Sequence, residues 1–445
     1  MRPLVLLSLF NLLLGGICVG QRPVFPLKAS PNGRHFTDQS GQPFLYHADT
    51  GWQVIARLTL AEAREYFSLR QRQGFNTIQI MLSVNPDSVN RRGQKPFQDY
   101  DFARPDEAYF AHAEQVVRLA DSLGLLLNIA PFWIGCCRES YGVEAKVEMY
   151  AKAGEDKSRK LGGWLGKRFG KYRNILWTMG GDNDPLAIRR EIVALAEGLH
   201  AAAPHQLLTY HARPPHSSTD LFQYAPWLGY SMVYTYWREK PNAHVNGEQM
   251  PHVYEVALEE YLKTDRLPFV LGESQYEGNG LTYDNDIGSA HQVRRQAWWT
   301  MLSGGAGHAY GHDGWFFPAN WREIMQYPGA AHLGHLIRFF GTVAWWRLVP
   351  DLRHQTVLQG YGHYTGADYV TAALTDDATT LVAYLPQPGS LTVDLSKLKG
   401  PRVAVQWFNP RNGEYGKVTL FSNQDVKRLT SPLQEDWVLV LTSQP

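Results

Sequence analysis

Two carboxylates at the ends of short apolar runs are the residues in this sequence best placed to do chemistry. One run is Asn174-Ile175-Leu176-Trp177-Thr178-Met179-Gly180-Gly181-Asp182, the other Pro268-Phe269-Val270-Leu271-Gly272-Glu273. Each reads as a buried parallel strand with an acid at its carboxyl end, where the βα-loops of an α/β barrel build the open face. Cleaving a glycosidic bond requires two carboxyl groups flanking it, a proton donor and a nucleophile or base. Retaining enzymes hold the two about 5–5.5 Å apart, inverting enzymes about 6.5–9.5 Å. The plain alternative is that both acids are helix N-caps following strands. The glycines ahead of each acid favour chemistry, because they remove bulk where a substrate must approach the chain.

Such acids need a barrel to position them, and the periodicity predicts one. Eight strand-like segments, at residues 44–50, 76–83, 125–132, 174–182, 207–213, 230–237, 268–274 and 307–312, alternate with helical stretches. The helices are expected at 60–73, 106–123, 185–202, 254–264, 289–302 and 330–340, with apolar residues at three- and four-residue spacing, as in Val116, Val117, Leu119, Ala120 and Leu123. Eight βα units closing on themselves make a (β/α)8 TIM barrel, over residues 21–350. Past Trp345-Trp346-Arg347 the texture changes to short alternating segments separated by turns such as Gln387-Pro388-Gly389. Residues 355–445 therefore read as a small all-β sandwich domain. The connection between the two is rich in Trp and aliphatic residues, which predicts a packed junction instead of a free linker.

Polar and aromatic residues gather at the predicted strand ends: Asp49 and Trp52 after the first, Trp133 after the third, His211 and Arg213 after the fifth, Tyr236 and Trp237 at the sixth, Tyr276 after Glu273, and His308, His312 and Trp315 at the eighth. Any one of them is ordinary for a loop; together on one rim they read as substrate-binding residues. Fourteen Trp and 23 Tyr in 445 residues suit flat rings stacking on sugar faces, though many must be core. No metal site is expected, since His308 and His312 fall on a strand and no His-Glu-x-x-His helix exists. Nothing calls for a cofactor, and there is no Gly-x-Ser-x-Gly elbow. A net charge of +1 without a basic run argues against nucleic acid as a partner.

Residues 1–20 read as a secretory signal cut before Gln21: Met1-Arg2, an apolar run from Leu4 to Leu14, and Cys18-Val19-Gly20 before the cut. Ile17 before Cys18 is bulky for a lipid-attachment site, which leaves the lipoprotein reading second. The run is too short to span a bilayer, so no membrane association is expected after cleavage, and a secreted or periplasmic location is. Cys136 and Cys137 then remain, as a neighbour-to-neighbour disulfide or as free thiols.

From about Leu27 onward the sequence resembles the apiosidase-like glycoside hydrolases, bacterial proteins joining a catalytic (β/α)8 barrel to a β domain of collagen-binding type. The resemblance rests on Asn32-Gly33-Arg34 with Asp38, Pro43-Phe44, Asp49-Thr50-Gly51-Trp52, Gly74-Phe75-Asn76-Thr77, Trp177-Thr178-Met179-Gly180-Gly181-Asp182 and Thr209-Tyr210-His211-Ala212-Arg213. It continues through Gly272-Glu273 with Tyr276-Glu277, Arg294-Arg295-Gln296-Ala297, Gly307-His308-Ala309-Tyr310-Gly311-His312, Val393-Asp394-Leu395 and Trp407-Phe408-Asn409-Pro410-Arg411. Ser274 stands where the family more usually has proline. The resemblance implies a retaining glycosidase with Asp182 as acid/base and Glu273 as nucleophile, acting on apiose-containing, pectin-type polysaccharide. A negative Glu273 is then expected to raise the pKa of Asp182. The reading from another class is a non-catalytic glycan- or collagen-binding protein on a barrel scaffold, which would have no need of both acids.

Overall fold

The structure is a computed structural model that describes residues 22–83, 89–135, 143–236, 244–245, 248–278, 288–432 and 434–445. The expected signal segment, Cys136-Cys137 and Trp237 lie outside the described residues. Eight parallel strands form one sheet: β1 (Tyr46–Thr50), β2 (Thr77–Met81), β3 (Leu126–Ala130), β4 (Ile175–Gly180), β5 (Leu208–His211), β6 (Ser231–Tyr234), β7 (Phe269–Glu273) and β8 (Gly307–Tyr310). Neighbours pair in chain order from β1 to β5, and from β6 through β7 and β8 back to β1. The Gly229 N–H donates to the Leu208 carbonyl at 2.8 Å, beside a parallel Leu208–Leu228 bridge, and closes the ring between β5 and β6. The strands are buried on both faces, one turned to the barrel interior and the other to helices, which is why they read as continuous apolar runs.

A helix follows every strand: α1 (Leu60–Arg72), α2 (Glu107–Ser122), α3 (Val143–Phe169, interrupted at Gly154), α4 (Arg189–Ala202), α5 (Ser218–Phe222), α6 (Val253–Leu262), α7 (Ala290–Leu302) and α8 (Pro328–Phe340). The sequence reading does not single out α3 or α5. Glycine weakens the helical signal of α3, yet it is what packs that helix. A Cβ at Gly162 would stand 2.1 Å from the Leu195 carbonyl oxygen, and one at Gly198 2.1 Å from that of Arg159, so α3 and α4 meet backbone to backbone.

The amino-terminal mouth of the barrel is sealed. Phe25, Leu27, Phe36 and Phe44, from or beside a small antiparallel sheet (Lys28–Ala29, Phe36–Thr37, Pro43–Phe44), pack in one cluster with Tyr46, Leu126, Leu176 and Tyr230. Phe36 meets the Tyr230 ring edge-on at 5.5 Å. Approach to the interior is left to the carboxyl end of the strands.

The C-terminal part is all-β and antiparallel: β9 (Leu348–Pro350), β10 (Val357–Gln359), β11 (Thr371–Thr375), β12 (Thr380–Leu385), β13 (Ser390–Asp394), β14 (Arg402–Phe408), β15 (Thr419–Ser422), β16 (Val426–Thr430) and β17 (Trp437–Gln444). They form a six-stranded sheet, β9-β11-β12-β17-β14-β15, and a three-stranded one, β10-β13-β16. Alternating residues such as Leu381, Val393, Val403 and Leu439 fill the space between the sheets. The outer face of the larger sheet packs against α6, α7 and α8. Trp298 stacks on Tyr384 at 5.8 Å, Tyr254 on Tyr369 at 4.5 Å, and Phe339 meets Phe408 at 4.9 Å. At the centre of this junction Arg294 holds Asp436 through two hydrogen bonds, Nε–Oδ2 at 2.7 Å and Nη2–Oδ1 at 2.6 Å, with both side chains buried.

Candidate active site

β4 and β7 deliver the two acids. Gly180, Gly181 and Asp182 take φ values of +80°, +124° and +55°, turning the chain sharply out of β4. For Asp182 that left-handed conformation is costly, the kind of strain kept where a side chain must be aimed. Both glycines are required: a Cβ on Gly180 would lie 2.5 Å from the Tyr210 ring, and one on Gly181 2.4 Å from that of Trp133. Gly272 likewise leaves room for Met232, which a Cβ would approach to 2.1 Å. Beneath the acids, the Gln79 Nε2 donates to the Gly272 carbonyl at 2.7 Å. Tyr46, Asn128 and Thr178 extend that contact into a hydrogen-bonded layer across the barrel.

Asp182, His211 and Glu273 each bring one side-chain atom into a group whose members lie within 4.8 Å of one another. Two carboxylates and an imidazole are also donor types that could hold a divalent cation. The His211 Nδ1 accepts the Asp182 backbone N–H at 3.2 Å, which places the ring proton on Nε2, 3.0 Å from Oε2 of Glu273. Burial lowers His211 to about 4, so the imidazole is neutral, and its Nε2 lies near Glu273 without a hydrogen bond to it.

Burial raises both carboxyls above the ordinary carboxylate range, Asp182 with the charge of Glu273 adding to it and Glu273 against a hydrogen bond from Tyr276. The expected rise at Asp182 is present; Glu273 rises too, because the same dry pocket disfavours its charge. Around the pair stand aromatic rings. The Trp133 indole N–H donates to Asp182 Oδ2 at 3.1 Å, and that of Trp52 to the Tyr276 hydroxyl at 2.7 Å. Tyr276 bonds Glu273, and Tyr234 bonds Asp182. Trp315 packs between Trp52 and Trp133 on one side and Tyr234, Tyr236 and Tyr276 on the other. Arg213 sits at the rim, its Nε on Asp184 Oδ2 at 2.9 Å.

Asp49, His308 and His312, expected to line the pocket, do not. Side chains alternate along a strand, so with Tyr46 and Ala48 in the barrel interior, His47 and Asp49 point out towards the helices. Asp49 is enclosed by Arg70 Nε at 2.9 Å, His312 Nε2 at 3.1 Å and the Tyr66 hydroxyl. His308 faces His47, ring nitrogens 3.1 Å apart, and burial pushes it down to about 3. Tyr234 and Gln79 reach the site without having been singled out. The sequence pattern extends the sixth strand to residue 237, whereas the strand ends at Tyr234, and this residue is the one that meets Asp182.

The Asp49 cluster gives a stability prediction. The Arg70 charge beside it helps hold the Asp49 carboxyl at about 2, against an ordinary value near 4 when unfolded. Its stabilisation is therefore present above about pH 4 and lost as the pH falls towards 2. Asp49→Asn leaves Arg70 buried without its counter-charge, an expected loss of about 3–5 kcal/mol. Urea unfolding from pH 7 to pH 3 checks this: the variant starts lower and loses less stability on acidification than the parent.

An (β/α)8 barrel with a β-sandwich on its helical side is also the fold of solved glycoside hydrolases. A structure described as "Glycoside hydrolase" superposes with a TM-score of 0.83 at 24% identity, covering 94% of this chain and 96% of its own. A family 5 glycoside hydrolase from Bacteroides vulgatus superposes with a TM-score of 0.84 at 23% identity, covering 94% and 93%. No curated protein matches the sequence. The model of the family described as "Apiosidase-like, catalytic domain" matches residues 30–347, and that of "Putative collagen-binding domain of a collagenase" matches residues 349–442. The protein is thus a glycoside hydrolase by class. Within that class the chain belongs to the apiosidase-like family.

Proposed function

We propose that the enzyme hydrolyses glycosidic bonds with retention of configuration, removing sugar from complex, pectin-type polysaccharide that contains apiose. The observation that supports this reading is that Asp182, His211 and Glu273 each bring a side-chain atom within 4.8 Å of the others, so that both acids can reach one bond. Glu273 attacks the anomeric carbon, oriented by the hydrogen bond from Tyr276. Asp182 donates its proton to the leaving oxygen, then takes one from the water that releases the sugar. The family match supports apiose-capped side chains as the first substrate to try. The amino-terminal residues support a secreted or periplasmic location, and the β domain serves the barrel as structural support.

The test is incubation with pectic oligosaccharides bearing apiose, reading the anomeric configuration of the first-formed product by proton NMR. Released apiose with retained configuration is the expected outcome; an inverted product overturns the mechanism, and release of another sugar overturns the specificity.

Asp182→Ala provides a second check. Loss of the acid should cost about 10²–10⁴-fold in kcat/KM on substrates with poor leaving groups. Aryl glycosides with activated leaving groups need little protonation and should lose far less in the glycosylation step. Equal losses on both would contradict Asp182 as the acid.

A further inference from the structure

We infer that the neighbouring tryptophans Trp52 and Trp133 are positioning residues that distribute the proton of the carboxyl pair. Trp133 holds Oδ2 of Asp182 as an acceptor, and Trp52 turns the Tyr276 hydroxyl proton onto Glu273. The inference rests on the reading of that pair as acid and nucleophile.

An indole N–H can only donate. The Trp133 N–H at 3.1 Å therefore fixes Asp182 Oδ2 as the accepting oxygen and leaves the carboxyl proton to Oδ1. Oδ1 is buried and receives no hydrogen bond from a protein donor. The Tyr276 oxygen is occupied by the Trp52 N–H at 2.7 Å, so its own single proton is directed to its other partner, Glu273. The two indoles lie tilted with centroids 4.6 Å apart, packed with Met81 and Ala130, and the Trp133 ring comes so close to Gly181 that no Cβ would fit there. This pair of rings thus reaches Asp182 directly and Glu273 through Tyr276. Tryptophan at a sugar site ordinarily offers its face to the ligand; here one N–H meets the Asp182 carboxyl and the other the hydroxyl that meets Glu273.

The consequence is a defined route for the proton. As the bond between the anomeric carbon and the leaving oxygen breaks, the Oδ1 proton passes to that oxygen and a Glu273 oxygen bonds the carbon. The new Asp182 carboxylate keeps its bond from Trp133. Water then supplies its oxygen to the carbon and returns a proton to Asp182, and Glu273 leaves as the carboxylate. Besides these tryptophans, Asp182 faces Glu273, His211 and Tyr234, and Glu273 faces Asp182, His211 and Tyr276, which itself neighbours Tyr236. Neither indole titrates, so its removal changes hydrogen bonding and no charge.

The test uses the full-length protein, ¹³C-labelled at Asp and Glu side-chain carboxyls, with Asp182→Asn and Glu273→Gln to assign the signals. Trp133→Phe should raise the Asp182 midpoint by about one pH unit, and Trp52→Phe the Glu273 midpoint by about half that. Kinetics with dinitrophenyl and methyl glycosides of the released sugar give an independent readout. Trp133→Phe should lose about tenfold more on the methyl glycoside than on the activated one. Unchanged midpoints in folded variants, or equal losses on both glycosides, overturn the proposal. If Trp133→Phe does not fold, benzothienylalanine at position 133 keeps the bicyclic ring, lacks the N–H and carries the same test. Wild-type protein that cleaves no glycoside would sink the glycosidase reading, and the titration would still decide what the tryptophans do.

Discussion

Glu273→Ala is expected to leave less than about one part in 10⁴ of the wild-type kcat/KM on every glycoside the enzyme accepts. The side chain sits at the end of β7, buried, beside the Nε2–H of His211 and bonded by Tyr276, and no other described carboxylate joins Asp182 in that cluster. Without it no glycosyl-enzyme forms, and Asp182 alone can protonate a leaving group that nothing displaces. Unlike the loss at Asp182, this one is independent of the leaving group. Added azide, small enough to occupy the vacated space, should restore cleavage of an activated aryl glycoside and yield a glycosyl azide of inverted configuration. Measurable turnover without azide, or a rescued product of retained configuration, would contradict the assignment.

Arg294→Ala is expected to destabilise the protein by about 3–5 kcal/mol, since Asp436 would keep a buried charge without its main partner. Arg411, with Nη1 at 3.3 Å from Asp436 Oδ1, is too peripheral to replace two short bonds. Deleting residues 355–445 goes further. It uncovers Trp298, Phe339 and Tyr254, which pack on the sandwich through Tyr384, Phe408 and Tyr369. An uncovered aromatic face of that kind drives association, so the truncated barrel should be insoluble or strongly destabilised. Urea midpoints of the parent, Arg294→Ala and the truncation measure both effects. A truncated barrel that is soluble, unfolds at the parental midpoint and keeps full activity would show that the sandwich is an independent module.

Much of this architecture is legible in the sequence because the barrel strands are short aliphatic runs with acids or glycines at their ends. Ile175 to Asp182 and Phe269 to Glu273 announce both their strand and their exit. What is not legible follows from physics that a linear pattern hides. The polarity of Asp49 says nothing about which face it takes, and one step along the strand separates the interior from the helix layer. His308 and His312 fail for the same reason, because a buried histidine pair or an aspartate partner looks the same in sequence as a sugar ligand. Helix α3 is concealed by the glycines that let it touch α4. Tyr234 is displaced from view by a strand end placed too far along. Gln79 acts through the backbone of another strand, a relation with no local signature.

The pairing of Arg294 with Asp436 spans 142 residues of chain. Helix α7 is buried along almost its whole length, and one flank of it is covered by strands made much later. During synthesis the eight βα units are therefore all present before the sheet that covers α7, α8 and α6 exists. The nascent barrel must wait with an aromatic surface exposed, the condition in which chaperone capture or export in an unfolded state competes best with folding. Completion of β17 then acts as the release signal: once Asp436 and the strand that follows it emerge, the guanidinium, the stacked rings and the sandwich core can form together. The junction between the barrel and the sandwich cannot close before its carboxyl-terminal strand is made.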